Sequence, residues 1–288
     1  ISFSGQMHGS VFLDSRGEVI RPAILWCDGR TADQCASIIS RVGEEDLLKW
    51  TKNLPLTSYT LPKLVWMAEK EKSNLRRVRT VLLPKDYVRY RLTGVKSMDE
   101  ADGAGTLMME VGKRRWAVEL LEQLGIDPAI LPPLTRSTDV VGRVTADAAR
   151  ETGLKPETLV IAGGGDQPVG ATGVGVFHEG QAMVSLGTSG VVFAPTSTAH
   201  EAGAGGLASF DHAIPGSSYL MGCVLSAGGS LQWYRNTICE AEMAEARRRK
   251  VDAYPLMLEA AEQTPIGAEN LLFLPYLMRE RTHYPDPH

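Results

Sequence analysis

Apolar positions change their spacing several times along this chain. Near the start they fall in short runs, and residues 1–4, 10–13 and 19–25 read as three strands, the last two separated by the Ser15-Arg16-Gly17 turn. From Thr31, which suits an N-cap, the spacing turns to three and four and predicts a helix to about residue 42. Short helices follow over 44–49 and 60–70, and in the second Leu61, Leu64, Val65 and Ala68 share one face. Residues 81–83 read as a strand, and Pro84 opens a helix to 92 that Thr93-Gly94 closes. Further helices are expected over 116–124, closed by Gly125, and 145–151, with Thr145 as N-cap. Strands are expected over 159–162, 181–186, 191–194, 206–209 and 219–223. A long helix should run from about 226 to 250 and a last one over 254–262, with 271–274 a buried strand. This mixture predicts an α/β protein. The natural break lies near 177–180, giving one unit over 1–178 and a second over 179–288.

Glycine is concentrated at that break. Residues 160–190 hold nine of the 29 glycines and read as strand, Gly-rich turn, Asp166, helix start, strand and a second Gly-rich turn. Glycine lets a ligand approach the backbone closely. The second turn, 185–190, offers hydroxyls and backbone N–H groups of the kind that hold phosphate oxygens. Asp166 has two readings: a helix N-cap, whose N–H bonds would lower its pKa, or a general base for phosphoryl transfer to a hydroxyl.

Composition narrows the classes. Charged residues are 22% and hydrophobic residues 43% of the 288, as in a globular protein, and the net charge of −4 gives no basic surface for nucleic acid. The basic run Arg247, Arg248, Arg249 and Lys250 suits a solvated helix end. No apolar run reaches the ~20 residues of a membrane span. Cys27, Cys35, Cys223 and Cys239 have no C-x-x-C spacing, and with no signal peptide visible, free thiols in the cytoplasm are expected. The histidines are scattered, and no metal site made of protein ligands is expected. Ile1 to Gly5 reads as the end of a buried strand and the last residues as a loop, so the chain reads as the central part of a longer protein. A sheet edge left unpaired by a missing first strand invites association, which keeps a homodimer open.

Ordered motifs then carry a resemblance. Gly5-Gln6-Met7-His8-Gly9, Trp26-Cys27-Asp28-Gly29-Arg30-Thr31, Lys63-Leu64-Val65-Trp66, Gly165-Asp166-Gln167 and Gly187-Thr188-Ser189-Gly190 stand in sequence. Ser226-Ala227-Gly228-Gly229-Ser230 and Leu274-Pro275-Tyr276-Leu277 with Glu280-Arg281-Thr282 follow. Together they resemble the FGGY carbohydrate kinase family over the whole chain. The family's first D-x-G-T phosphate loop and its C-terminal adenosine-binding segment have no counterpart, Arg279 stands where the family usually has Gly, and Gln167 replaces a frequent Asn.

The resemblance implies a two-domain, actin-like ATPase (ribonuclease H-like) fold, incomplete at both ends. It implies ATP-dependent phosphorylation of a ketose, D-xylulose first, with Mg²⁺ arriving on the nucleotide. Glycerol, ribulose or gluconate would be the substrate of other members, and a non-catalytic sugar-binding relative is the remaining alternative. Asp166 would be the base, and Met7, His8, Trp26 and Gln167 would contact the sugar. Gly187 and Thr188, with Gly228 and Gln232 on one helix face, would border the nucleotide. Each residue also has a plainer reading: a structural His8, a core Trp26, an Asp28–Arg30 pair across the turn, a structural Lys63, a tight helix start at Gly228, and a Glu280–Arg281 pair.

Overall fold

The computed structural model describes residues 1–201 and 206–277. The chain opens with β1 (Ser4–Gly5) and β2 (Val11–Leu13), then α1 (Ala32–Val42), α2 (Glu44–Thr51), α3 (Thr60–Lys70) and α4 (Lys72–Leu75). β3 (Thr80–Leu82), α5 (Pro84–Thr93), β4 (Met98–Asp99), α6 (Glu100–Ala104), β5 (Met109–Glu110), β6 (Arg115–Trp116) and α7 (Val118–Gln123) follow. Next come β7 (Leu134–Thr135), β8 (Val140–Arg143), α8 (Ala146–Thr152), β9 (Leu159–Ile161), β10 (Gly164–Gly165) and α9 (Asp166–Gly173). The last part holds β11 (Met183–Leu186), β12 (Gly190–Thr196), β13 (Ala208–Asp211) and β14 (Ser218–Val224). It ends with α10 (Gly228–Thr237), α11 (Glu240–Arg249) and α12 (Ala253–Glu262).

Local chemistry explains most of these boundaries. The Thr145 hydroxyl caps α8 by accepting from the Ala148 N–H, and Gly94 and Gly153 close α5 and α8 in the left-handed conformation. Thr31 does sit at the start of α1, but its hydroxyl donates instead to the Thr57 carbonyl at 3.2 Å.

Three expectations fail. Residues 19–25 form only the isolated bridges Ser10↔Ile24 and Leu13↔Val19, because Pro22 lacks the N–H a continuous ladder needs. The long helix expected over 226–250 is two helices, broken after Thr237, where Asn236, Thr237 and Ile238 are all weak helix formers. Residues 271–274 are not a buried strand: Leu271 and Leu272 are 79% and 85% exposed and no strand forms there.

Parallel β1–β10 joins the start of the chain to the Gly-rich turn, in the register Ser4↔Gly164 and Gly5↔Gly165. A four-stranded antiparallel sheet, in the order β11-β12-β14-β13, forms the later part. One apolar core runs through both parts: Met7, Phe12, Leu61, Leu64 and Met108 belong to the same cluster as Phe193, Phe210 and Tyr219. Polar contacts add to it. The buried Asn53 amide donates to the Ser209 carbonyl at 2.7 Å and accepts from the Ser209 N–H at 2.9 Å, so a side chain occupies the outer side of edge strand β13. Nearby, the Gly112 N–H donates to Asp211 at 3.1 Å.

Candidate active site

Two paired glycines form the foundation of the site. Gly5 and Gly165 lie opposite each other in β1 and β10, and the residues that follow them are Gln6 and Asp166. Beneath Gly5 sits Lys85, whose Cβ would lie 3.0 Å from any Cβ added at position 5. Beneath Gly165 sit Asp102 Oδ1 and Met7 Cγ, 2.9 and 2.6 Å from an added Cβ. Lys85 and Asp102 are themselves ion-paired at 3.0 Å.

That pair belongs to a buried ionic network. The Lys85 ammonium also meets Asp86 at 2.6 Å and Asp99, and Arg89 meets Asp86 at 3.1 Å. Burial works against the Lys85 charge, yet the three carboxylates hold its pKa above the ordinary lysine value. Burial pushes Asp102 well above the carboxylate range, with Lys85 pulling the other way. Three carboxyls against two cations leave an odd negative charge, and a buried unpaired charge is costly. Burial raises Asp86 as well, though less, so Asp102 is the carboxyl suited to keep a proton.

Above this floor lies a cleft that opens to solvent. Met7, His8, Trp26, Asp166 and Gln167, the five residues expected at the sugar and the base, all line it. Gln6 and Ser189, which stand inside two of the resembling motifs, complete the wall with Val191, Met221 and Cys223, which were not expected. Val191 and Cys223 are register partners in β12 and β14, so period-two alternation places them on one face once the strand pairing is known.

Asp166 is the first residue of α9, with Gly165 in the cap position, so it is not the N-cap the sequence suggested. Nor is its pKa lowered. Its residue is open to the cleft, but protein around the carboxyl displaces water, and this desolvation raises the pKa. The Gln167 amide pulls in the opposite sense through Nε2, 3.4 Å from Asp166 Oδ2. A carboxylate of raised pKa is the better proton acceptor.

His8 is buried and holds a left-handed backbone at φ 68°. Its Nδ1 lies 2.6 Å from the Gly105 carbonyl, which only accepts, so Nδ1 carries the proton. Lys63 donates to the His8 carbonyl at 2.7 Å and to the Ser58 carbonyl at 2.6 Å, and Thr60 adds a bond to His8 at 3.1 Å. Lys63 thus fixes the backbone of the cleft. Arg30 and Asp28 pair with each other at 2.9 and 2.7 Å, and Arg30 lies over the Trp66 ring at 5.0 Å.

The second Gly-rich turn meets the start of α10. The Gly228 N–H donates to the Gly187 carbonyl at 2.9 Å, and the N–H groups of Ala227 and Gly229 donate to the Thr188 carbonyl at 2.8 and 3.1 Å. An added Cβ at Gly228 would lie 2.6 Å from the Gly187 oxygen, so only glycine fits. These N–H groups, and that of Gly187, which donates to Ser189, hold the turn together and are not available to phosphate. Thr188 and Gln232 are exposed beside it. Glu280 and Arg281 lie outside the described residues, among which no group of His, Cys, Asp and Glu forms a metal site.

Similarity to known proteins agrees with this geometry. Residues 1–173 match the N-terminal domain, and residues 182–288 the C-terminal domain, of the FGGY family of carbohydrate kinases. The chain is 41% identical to the xylulose kinase of Bacillus subtilis over 99% of its own length and 55% of that protein. It is 38% identical to the xylulose kinase of Escherichia coli, of which it covers 56%. It therefore spans about half the length of these relatives. Among solved structures, a xylulose kinase from Rhodospirillum rubrum superposes with a TM-score of 0.86 at 29% identity, over 96% of this chain and 55% of that one. A kinase from Brucella ovis, described as a xyloylose kinase, gives 0.83 at 37% identity over 99% and 56%. The fold is accordingly that of the actin-like ATPases, and the chain belongs to the FGGY family of carbohydrate kinases.

Proposed function

We propose that the full-length protein transfers the γ-phosphoryl group of ATP to a ketose, D-xylulose, forming D-xylulose 5-phosphate. The observation that carries this reading is the convergence of Met7, His8, Trp26, Asp166 and Gln167 on one cleft, with the Asp166 carboxyl tuned upward. The xylulose kinases among its relatives support the choice of sugar.

In this reading the sugar lies against Met7, His8 and Trp26, and Gln167 pairs with one of its hydroxyls. Asp166 orients the terminal hydroxyl and accepts its proton as the bond to phosphorus forms. The 187–190 turn, packed against Gly228 at the start of α10, offers the exposed side chains of Thr188 and, beside it, Gln232 to the phosphates. The nucleotide supplies the phosphoryl group when bound, accompanied by Mg²⁺ that keeps mostly water ligands. Units 1–178 and 179–288 close over the sugar and exclude water. No described helix is long and apolar enough to cross a membrane, and a cytoplasmic site of action is proposed with the rest.

The test is ATP-dependent turnover of D-xylulose, glycerol, ribulose and gluconate by the full-length protein beside Asp166→Ala. Xylulose preference and a loss of at least about a hundredfold in kcat for the variant are expected. Because the Asp166 pKa is raised, the acid limb of the wild-type rate should lie above its ordinary value of 3.8. A sugar that binds without being phosphorylated would sink the kinase reading.

A further inference from the structure

We propose that Tyr219 is a positioning residue, whose hydroxyl holds the Met7 thioether in the conformation that shapes the cleft for the sugar. The inference rests on the kinase reading and adds a residue that stands in none of the resembling motifs. Its place follows from strand geometry. Side chains two apart share a face of a strand, so Tyr219, Met221 and Cys223 form one row along β14. Met221 and Cys223 line the cleft, and Tyr219 continues the row one step deeper, where it is fully buried.

Packing fixes the ring. It stacks on Phe193 of β12 with 4.2 Å between centroids, and Phe210 of β13 and His212 close around it at 5.4 and 5.9 Å. Rings held on several sides leave the hydroxyl one direction. It lies 3.8 Å from Met7 Sδ, within reach of an O–H···S bond. Burial above all, with the acidic residues around it, holds the Tyr219 pKa well above the ordinary tyrosine value. The hydroxyl therefore keeps its proton and is the donor.

Met7 needs such a hold. Its side chain is unbranched, turns about three bonds and adapts its shape readily. Here it is met at successive atoms from three elements. Met7 Cγ would lie 2.6 Å from a Cβ added at Gly165, and Met7 Cε 3.1 Å from one added at Gly105, so both backbones press on it. The His8 ring sits on the same Gly105, with Nδ1 2.9 Å from that added Cβ. Sδ, between Cγ and Cε, receives the Tyr219 hydroxyl. The glycine contacts limit volume, whereas the hydroxyl gives the sulfur an orientation. It comes from the later part of the chain, so the four-stranded sheet acts on the sugar side of the cleft through this contact.

The experiment uses the full-length protein, Tyr219→Phe, Met7→Leu and the double variant. Tyr219→Phe keeps the ring and deletes the hydroxyl, and Met7→Leu keeps the volume and deletes the sulfur. Each is titrated calorimetrically with D-xylulose and assayed at steady state. Tyr219→Phe should weaken D-xylulose binding and raise KM about threefold, with kcat within about twofold of wild type. In the Met7→Leu background the same change should add nothing, because the sulfur it acts on is gone. The Met7 methyl resonance, identified by its loss in Met7→Leu, should also move in Tyr219→Phe. Equal losses in the two backgrounds, no loss in the single variant, or an unmoved Met7 resonance would overturn the inference. A fall in kcat with a shifted acid limb and unchanged KM would assign the hydroxyl to Asp166 and overturn it as well. A wild type that binds D-xylulose without phosphorylating it would sink the kinase reading alone, and the binding titrations would still decide Tyr219.

Discussion

Gly165→Ala isolates the geometry that supports Asp166, the proposed base. At φ −58° and ψ 155° the backbone there suits any residue, so an added methyl group introduces no backbone strain. The penalty is steric. The new Cβ would lie 2.6 Å from Met7 Cγ, 2.9 Å from Asp102 Oδ1 and 3.1 Å from Met7 Sδ. Ordinary carbon contacts are about 3.5–4.0 Å, so something must move by roughly 1 Å. Met7 is 4% exposed and Asp102 is fully buried and held by Lys85, which leaves the turn carrying Asp166 as the part that yields. Overpacking of this kind costs about 1–3 kcal/mol, or roughly 2–12 °C in Tm for a chain of this size. A displacement near 1 Å at a reacting group costs about a hundredfold in rate. The control is Gly170→Ala on the same helix, where an added Cβ meets nothing within 4 Å. Thermal melts and steady-state rates on D-xylulose should therefore separate the two alanines. If Gly165→Ala is as stable and as active as Gly170→Ala, the close packing under the base has been misread.

Two further outcomes test the buried polar groups. Burial raises the Asp102 pKa in the folded chain above its ordinary value of 3.8 in the unfolded chain, so its contribution makes stability fall as pH rises above about 4. The groups facing it are Lys85, Asp86, Asp99 and Tyr219, and Asp102→Asn should flatten that fall in denaturant titrations run from pH 5 to 8; parallel curves for variant and wild type would contradict it. Asn53→Ala removes both bonds to Ser209 and leaves its backbone groups buried without partners, which should cost roughly 2–4 kcal/mol by denaturant unfolding; a loss below about 0.5 kcal/mol would show that the contact adds nothing.

Much of the cleft was legible in the sequence because its residues follow strand ends. Gln6-Met7-His8 after β1 and Asp166-Gln167 after β10 are local patterns, and α/β proteins gather ligands where strands finish. The opposite wall was not legible. Val191, Met221 and Cys223 read as ordinary apolar strand positions until β12 is paired with β14. The ionic network was hidden for a different reason: Lys85, Asp86 and Arg89 look like the solvated face of a short helix, and their partners Asp99 and Asp102 lie more than ten residues away. The protonation of Asp166 was misjudged because its position at the helix start suggested N–H bonds, whereas loss of water around the carboxyl dominates. The apolar run at 271–274 shows the limit of composition, since a run of Leu and Phe specifies burial only where another surface meets it.

The stacking of Gly5 on Lys85 and of Gly165 on Asp102 has an evolutionary consequence. Four positions share one space, so a lineage cannot exchange them one at a time. A larger residue at 165 is tolerated only if Met7 and Asp102 both give way, and a change at 102 alters the set of carboxyl groups packed around Lys85. Homologous sequences should therefore show 5, 85, 102 and 165 either retained as a set or replaced as a set, with intermediates rare. The residues that line the cleft can drift while this hidden quartet stays coupled.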